Sequence, residues 1–164
     1  MKKRTALVGA ILSLFPLGQP LLFKTGIFLS ASGINLLFPE KVDARDAVFY
    51  IIRGEKKLKS NDYYGAIKDF SKAIQIDPYN GLAYDYRGLS KKRINDLEGA
   101  LFDFNKSIEI EPYNGASYNN RGMVFLSKGD RYLACKDFKK AVSLGLEFTE
   151  RWFYSKDGKW CRDM

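Results

Sequence analysis

Apolar residues in the second half of the chain recur at the spacing of helix faces. In the segment 63–76 they fall at i, i+1, i+4, i+7 and i+8, counted from Ala66, and this spacing places them on one side of a helix. The segment 47–60 also has a helical pattern, and Asn61 and Asp62 follow it as candidate capping residues. The pattern therefore predicts two consecutive helices, 47–60 and 63–76.

This two-helix pattern returns at an interval of 34 residues. Six columns of identical residues keep the interval: Tyr50, Tyr84 and Tyr118; Gly54, Gly88 and Gly122; Asp62, Asp96 and Asp130; Ala66, Ala100 and Ala134; Asp69, Asp103 and Asp137; and Phe70, Phe104 and Phe138. The stretch QIDPYN at 75–80 likewise returns as EIEPYN at 109–114. Pro78 cannot continue a helix and Asn80 can cap the next one, so this stretch is predicted to join two repeats.

The spacing within each unit resembles the tetratricopeptide repeat. Counted from residue 47, glycine stands at position 8, alanine at 20 and 27, phenylalanine at 24 and proline at 32. Three units follow, 47–80, 81–114 and 115–148, although Ser107 replaces the second alanine and Leu146 replaces the last proline. The resemblance implies an all-α fold, a right-handed superhelix of three stacked antiparallel helix pairs.

The remainder of the chain is divided around these repeats, which occupy 45–148. Residues 149–164 are expected to form a C-terminal capping tail, because the end of a repeat array needs cover and this region is rich in aromatic residues. Phe148, Trp152, Phe153 and Trp160 are expected to pack on the last helix pair. Cys135 and Cys161 can form a disulfide in an exported protein, and two unpaired thiols are the alternative.

Residues 1–44 differ in kind from the repeats. MKKR precedes an uncharged run from Thr5 to Phe23, a pattern typical of an export signal. Cleavage before Ser32, cleavage at the better A-x-A-like site before Arg45, and retention as a membrane anchor all remain open. We expect an exported (periplasmic, lumenal or secreted) or membrane-anchored protein, and the signal together with the use of Lys, Asn and Ile suggests a bacterium.

Composition limits the chemistry that the chain can perform. Histidine is absent, so the usual hydrolase triads and the commonest zinc ligand are missing. The chain has a net charge of +8. Its charges alternate in sign along the sequence, and no basic block is longer than Lys91 to Arg93. We therefore expect no enzyme, no cofactor and no metal site, and we regard nucleic-acid binding as the weaker alternative.

Arginine stands at position 7 of each unit, where the family commonly has leucine. Arg53, Arg87 and Arg121 could form a ladder that binds acidic ligands. The alternative is that each guanidinium pairs with the aspartate at position 23 of its own unit while its methylenes pack on the helices. We favour internal pairing, because regular spacing within a repeat usually reflects architecture.

The resemblance implies that the first helix of each unit lines a concave groove that binds a peptide or a protein segment. Mapping the family's groove positions gives the candidate site residues: Ile51, Glu55, Leu82, Asp85, Leu89, Lys92, Arg93, Asn119, Met123 and Leu126. The apolar members are expected to hold side chains of a partner, and the polar members its backbone or charges. The predicted function is therefore a non-catalytic adaptor, scaffold or assembly factor.

Two other readings are weaker. Some relatives grip the terminal carboxylate of chaperones with lysine, asparagine and arginine side chains at five positions. Those positions hold Ile51, Glu55, Tyr86, Ala116 and Asn120, so binding of a chaperone tail is not expected. An enzyme that uses carboxylates such as Glu55 and Asp85 is the remaining hypothesis.

Overall fold

The computed structural model describes residues 28–30, 33–35 and 44–164, which belong to two compact units, 1–42 and 43–164. In the first unit, strands β1 (Phe28–Ser30) and β2 (Gly33–Asn35) pair antiparallel. Strands of three residues are too short to show a period, so the sequence did not predict this hairpin. The signal or anchor prediction for 1–44 otherwise lies outside the described residues.

The described part of the second unit contains eight helices. They are α1 (Ala44–Lys59), α2 (Tyr63–Ile76), α3 (Gly81–Arg93), α4 (Leu97–Ile110), α5 (Gly115–Ser127), α6 (Arg131–Ser143), α7 (Glu147–Phe153) and α8 (Lys159–Arg162). The helices pack as the pairs α1–α2, α3–α4 and α5–α6, and each pair stacks on the next. The predicted solenoid of stacked helix pairs is confirmed for these residues. No helix among them is both long and apolar enough to cross a bilayer.

Short polar turns join the two helices of each pair. Asp62 caps α2 by accepting a hydrogen bond from the backbone N–H of Gly65 at 2.9 Å. Asp96 and Asp130 do the same for α4 and α6. The preceding residue adopts a left-handed conformation, with φ of 64° at Asn61, so only Asp62 of the two candidates is the cap. Asn80 caps α3 by accepting from the N–H of Ala83 at 3.0 Å, as predicted.

The residues of the apolar core recur at the same 34-residue interval as the sequence pattern. Phe70, Phe104 and Phe138 are at most 1% exposed, and each fills the space between the two helices of its pair. Gly54 lies against Phe70, because a Cβ on this glycine would come within 2.7 Å of the ring. The small residue predicted at this close approach is therefore required by an aromatic ring on the second helix.

The C-terminal segment covers the end of the last helix pair. The Trp152 ring packs edge-on against Phe138 with centroids 4.9 Å apart, and Trp160 packs on Trp152. The structure joins Cys135 to Cys161 as a disulfide with Cα atoms 5.3 Å apart, which ties α6 to α8. Phe148 was expected to pack here, but it is 70% exposed because it lies on the outward side of the short helix α7.

Candidate functional site

The arginines at position 7 of the repeats are all engaged inside their own helix pairs. Arg87 donates two hydrogen bonds to Asp103, from Nε at 2.9 Å and from Nη2 at 2.7 Å. Arg53 and Arg121 make the same two-pronged contact with Asp69 and Asp137. The internal pairing favoured from the sequence is confirmed, and the arginines do not form an open ladder for acidic ligands.

The charge of the buried aspartates is compensated unequally. Lys57 adds a second cation to Asp69 at 2.9 Å, and Lys91 adds one to Asp103 at 2.8 Å. Hydrogen bonds from Arg53 hold the pKa of Asp69 below its usual value although burial opposes this. In the third pair the corresponding position holds Phe125, which lies beside the Arg121 guanidinium. These ion pairs join the two helices of each pair. The candidate binding residues are therefore other side chains of the inner helices.

Two of the candidate groove residues are buried, which corrects the groove proposed from the sequence. Ile51 is 6% exposed and belongs to the apolar core between the first two pairs. Asp85 is 5% exposed, and both of its oxygens accept from Asn120 Nδ2, at 3.2 and 3.3 Å. Neighbouring inner helices pack too closely at this level for a partner to reach either side chain.

Burial also sets the protonation of Asp85. Loss of water raises the pKa of its carboxyl group, while hydrogen bonds from Ser117 and Asn120 oppose the rise and the charge of Glu111 adds to it. The carboxyl group therefore acts as a polar link between α3 and α5. It is not accessible to a partner or a substrate.

Glu55 and Asn119 both lie against other parts of the protein. Glu55 is half-buried near Tyr86, and its charge joins burial in raising the pKa of that tyrosine. Asn119 Oδ1 accepts from the hydroxyl of Thr149 at 2.9 Å, and Thr149 is only 1% exposed. The C-terminal segment thus takes the polar atom of Asn119 that was proposed for a partner.

The remaining apolar candidates are accessible. Leu82 and Met123 are each 39% exposed on the inner helices α3 and α5, and Leu89 and Leu126 are half-buried. Large apolar side chains that remain in contact with water on adjacent helices are typical of interaction surfaces. These four residues form the apolar part of the candidate site.

A shallow cleft with a volume of about 270 Å³ lies between the first and second helix pairs. It is lined by Leu58, Lys59, Asn61, Tyr63, Leu89 and Arg93. Tyr63 and Asn61 were not among the candidate residues. They belong to the turn and the start of α2, outside the inner helices to which the repeat pattern assigned the groove.

The rim of the cleft is basic. Arg93 and Lys59 are exposed, and Lys92 is half-buried beside Arg93. Burial, with the neighbouring Arg93 charge, lowers the pKa of the Lys92 ammonium group. These cations lie at the C-terminal ends of α1 and α3, where the helix dipole favours positive charge. The arrangement is suited to a segment that carries both apolar and acidic side chains.

The described residues contain no group of three or more His, Cys, Asp or Glu side chains that could hold a metal ion. Of the two carboxylates in the enzyme hypothesis, Asp85 is buried and accepts hydrogen bonds from Asn120. Glu55 is half-buried near Tyr86.

Comparison with known proteins agrees with this architecture. Residues 115–144 match the family model for the tetratricopeptide repeat. No curated protein sequence matches the chain significantly.

Solved structures resemble the fold closely. The first tetratricopeptide repeat (TPR) domain of Spaghetti (RPAP3) was solved bound to the HSP90 peptide SRMEEVD. It is 22% identical with a TM-score of 0.62, over 71% of this chain and 99% of that chain. The Arabidopsis OM64 domain is 20% identical with a TM-score of 0.64, over 73% and 93%. The TPR2B domain of yeast Sti1, in a complex with pHsp70, is 17% identical with a TM-score of 0.62, over 73% and 92%. The helix pairs therefore have the fold of tetratricopeptide repeat domains, and the third pair also matches that family by sequence.

Proposed function

We propose that the protein is a non-catalytic interaction module that binds a segment of a partner protein along its inner helices. The observation that carries the proposal is the cleft between the first two helix pairs, which is lined by both apolar and basic side chains. Leu82 and Met123 add exposed apolar side chains on the inner helices. A partner segment would place apolar side chains against Leu89 and acidic side chains near Lys92 and Arg93.

The similar structures support a protein or peptide partner, since the Spaghetti and Sti1 domains were solved with chaperone peptides. The chemistry of this inner surface differs from the cationic grip expected for a chaperone tail. Ile51 is buried, Glu55 is acidic, and Asn120 is committed to Asp85. We therefore propose a partner other than a chaperone tail, acting in an adaptor, scaffold or assembly role.

We also propose a cellular location for the protein, outside the cytoplasm or anchored to a membrane. The basic and apolar N-terminal sequence supports an exported or membrane-anchored protein. The Cys135–Cys161 disulfide agrees with an oxidising compartment, where such bonds persist.

The proposal is tested by affinity capture from the native organism with the full chain as bait. A double variant, Leu89→Ala with Lys92→Glu, truncates an apolar side chain that lines the cleft and reverses the charge of the residue next to Arg93. We expect it to lower the yield of specifically captured protein by about tenfold, because truncating a central apolar anchor costs about 1–2 kcal/mol.

A matched control carries Phe148→Ala with Lys156→Glu, which changes the same kinds of side chain at exposed positions of the C-terminal segment. The control is expected to capture the same partners as the unmodified chain. If the cleft variant captures them at undiminished yield, the proposed binding surface is wrong.

A further inference from the structure

The second helices of the three pairs share a surface that faces away from the inner helices. Ala66, Phe70 and Ala73 of α2 are fully buried against the pair. Lys68 and Lys72 lie on the opposite side of the same helix and are exposed. We call this surface the outer face; it comprises residues 64, 68, 71, 72 and 75 of α2 and the corresponding residues of α4 and α6.

The outer face carries a net positive charge. It carries six lysines: Lys68, Lys72, Lys106, Lys136, Lys139 and Lys140. All except Lys106 are exposed. The face has two acidic residues, and both are already paired, Glu109 with Lys106 and Glu98 with Lys128. The outer face therefore has an excess of lysines that no acidic residue of the same face neutralises.

The segregation of charge follows from the way the repeats use their aspartates. One aspartate in each repeat caps the second helix, as Asp62 does. Another is buried in an ion pair with the arginine of the inner helix, as Asp103 is with Arg87. The alternation of sign along the sequence thus conceals a separation of charge in space. The capping and ion-paired aspartates lie at helix ends and between helices, whereas six lysines lie on the outer face.

Aromatic side chains lie among these lysines, one on each second helix. Tyr64 is 75% exposed, Phe102 is 56% exposed and Tyr132 is 67% exposed. Exposed aromatic rings are not needed for solubility, and moving them out of water lowers the free energy of the system. Lysines interspersed with tyrosine and phenylalanine are the combination found where proteins touch the headgroup region of a bilayer.

We propose that the outer face binds the surface of an anionic lipid bilayer. The lysine ammonium groups would neutralise lipid phosphates and carboxylates, and the three aromatic rings would enter the headgroup layer. The inner surface, on the other side of the helix pairs, would remain available for a partner protein. This inference does not depend on the proposed peptide binding.

The composition of the outer face favours a lipid surface over a nucleic acid. All its cations are lysines, whereas arginine is the residue that grips phosphates in a two-pronged manner. Helices that pack side by side at about 8–10 Å offer a broad surface. Proteins that bind single strands instead hold the backbone in a positively charged groove.

The test is co-sedimentation of the full chain with two kinds of vesicle. One is pure phosphatidylcholine and the other contains about 30 mol % phosphatidylserine. A triple variant, Lys68→Gln, Lys72→Gln and Lys136→Gln, is compared with a control, Lys56→Gln, Lys156→Gln and Lys159→Gln, in which three exposed lysines elsewhere are changed. Both variants keep the N-terminal segment and lose the same net charge. The melting temperature of each variant checks that it is folded.

We expect the unmodified chain to bind the anionic vesicles more tightly than the neutral ones. The outer-face variant is expected to lose about tenfold or more of its affinity for anionic vesicles, since each lysine near such a surface contributes about fivefold to the binding affinity. The control variant should stay within about twofold of the unmodified chain. Equal losses in the two variants, or no preference for anionic vesicles, would overturn the proposal. So would binding to an oligouridylate probe that depends on these lysines while vesicle binding does not.

Discussion

Asp85 lies on an inner helix with its carboxyl group almost out of contact with water. Its position in the repeat is one that the family resemblance assigns to the groove, and the sequence offered no sign of burial. The residues that bury it, Ser117 and Asn120, come from the next repeat. A single repeat cannot show this contact, because the contact exists only after two pairs have stacked.

The raised pKa of Asp85 gives a dependence of stability on pH with a definite sign. The folded protein holds this proton at a pH where the unfolded chain has released it, so ionising the buried group costs stability as pH rises through that range. Asp85→Asn keeps the shape and removes the charge. We expect it to increase the free energy of unfolding at pH 7 by about 1 kcal/mol, on the scale of one hydrogen bond.

Urea denaturation measures this effect. The gain should disappear at about pH 3, where the carboxyl group is protonated in both states. Asp157→Asn, at an exposed position, serves as the control and should change little. A loss of stability in Asp85→Asn at pH 7 would show that the carboxylate stabilises the contact between the inner helices.

The helix pairs were the part of the fold most open to prediction. The 34-residue period predicted each helix and its buried face, because Ala66, Phe70 and their equivalents must pack inside every pair. Helix α1 nevertheless begins at Ala44, three residues before the repeat frame starts. No proline or preceding repeat limits it there, so the internal period does not fix its first residue.

The ion pairs that fasten the two helices of each pair provide a prediction at this scale. Asp103 keeps Lys91 when Arg87 is removed, but Asp137 has Phe125 where that lysine would stand. We expect Arg121→Met to lower the free energy of unfolding by about 3 kcal/mol, the cost of leaving a buried charge unpaired. Arg87→Met should cost about half as much.

Thermal or urea unfolding of the two variants tests this difference. The comparison is internal, since both substitutions remove the same side chain from equivalent positions. If Arg87→Met is as destabilising as Arg121→Met, Lys91 does not compensate the charge of Asp103 and the explanation is wrong.

At the scale of the whole molecule, the two surfaces of the helix pairs have different chemistry. The inner surface combines Leu82 and Met123 with a basic cleft, while the outer face carries lysines and exposed aromatic rings. The sequence predicted the inner helices as the binding surface, and the apolar residues it named on α3 and α5 are accessible. It did not name Phe49 and Ile52 of α1, which are more exposed. It could not predict the charge separation, because neighbours in space on the outer face are 34 residues apart in the chain.

The central claim is that the inner surface, and not the outer face, holds a partner protein. Site-specific photocrosslinking in the native organism tests it most directly, with a photoreactive amino acid placed at Met123 or, for comparison, at Phe102. Both positions are large, apolar and exposed. We predict a defined protein adduct from Met123 that is lost on adding Leu89→Ala with Lys92→Glu, and no such adduct from Phe102. A protein adduct formed at Phe102 and absent at Met123 would contradict the account.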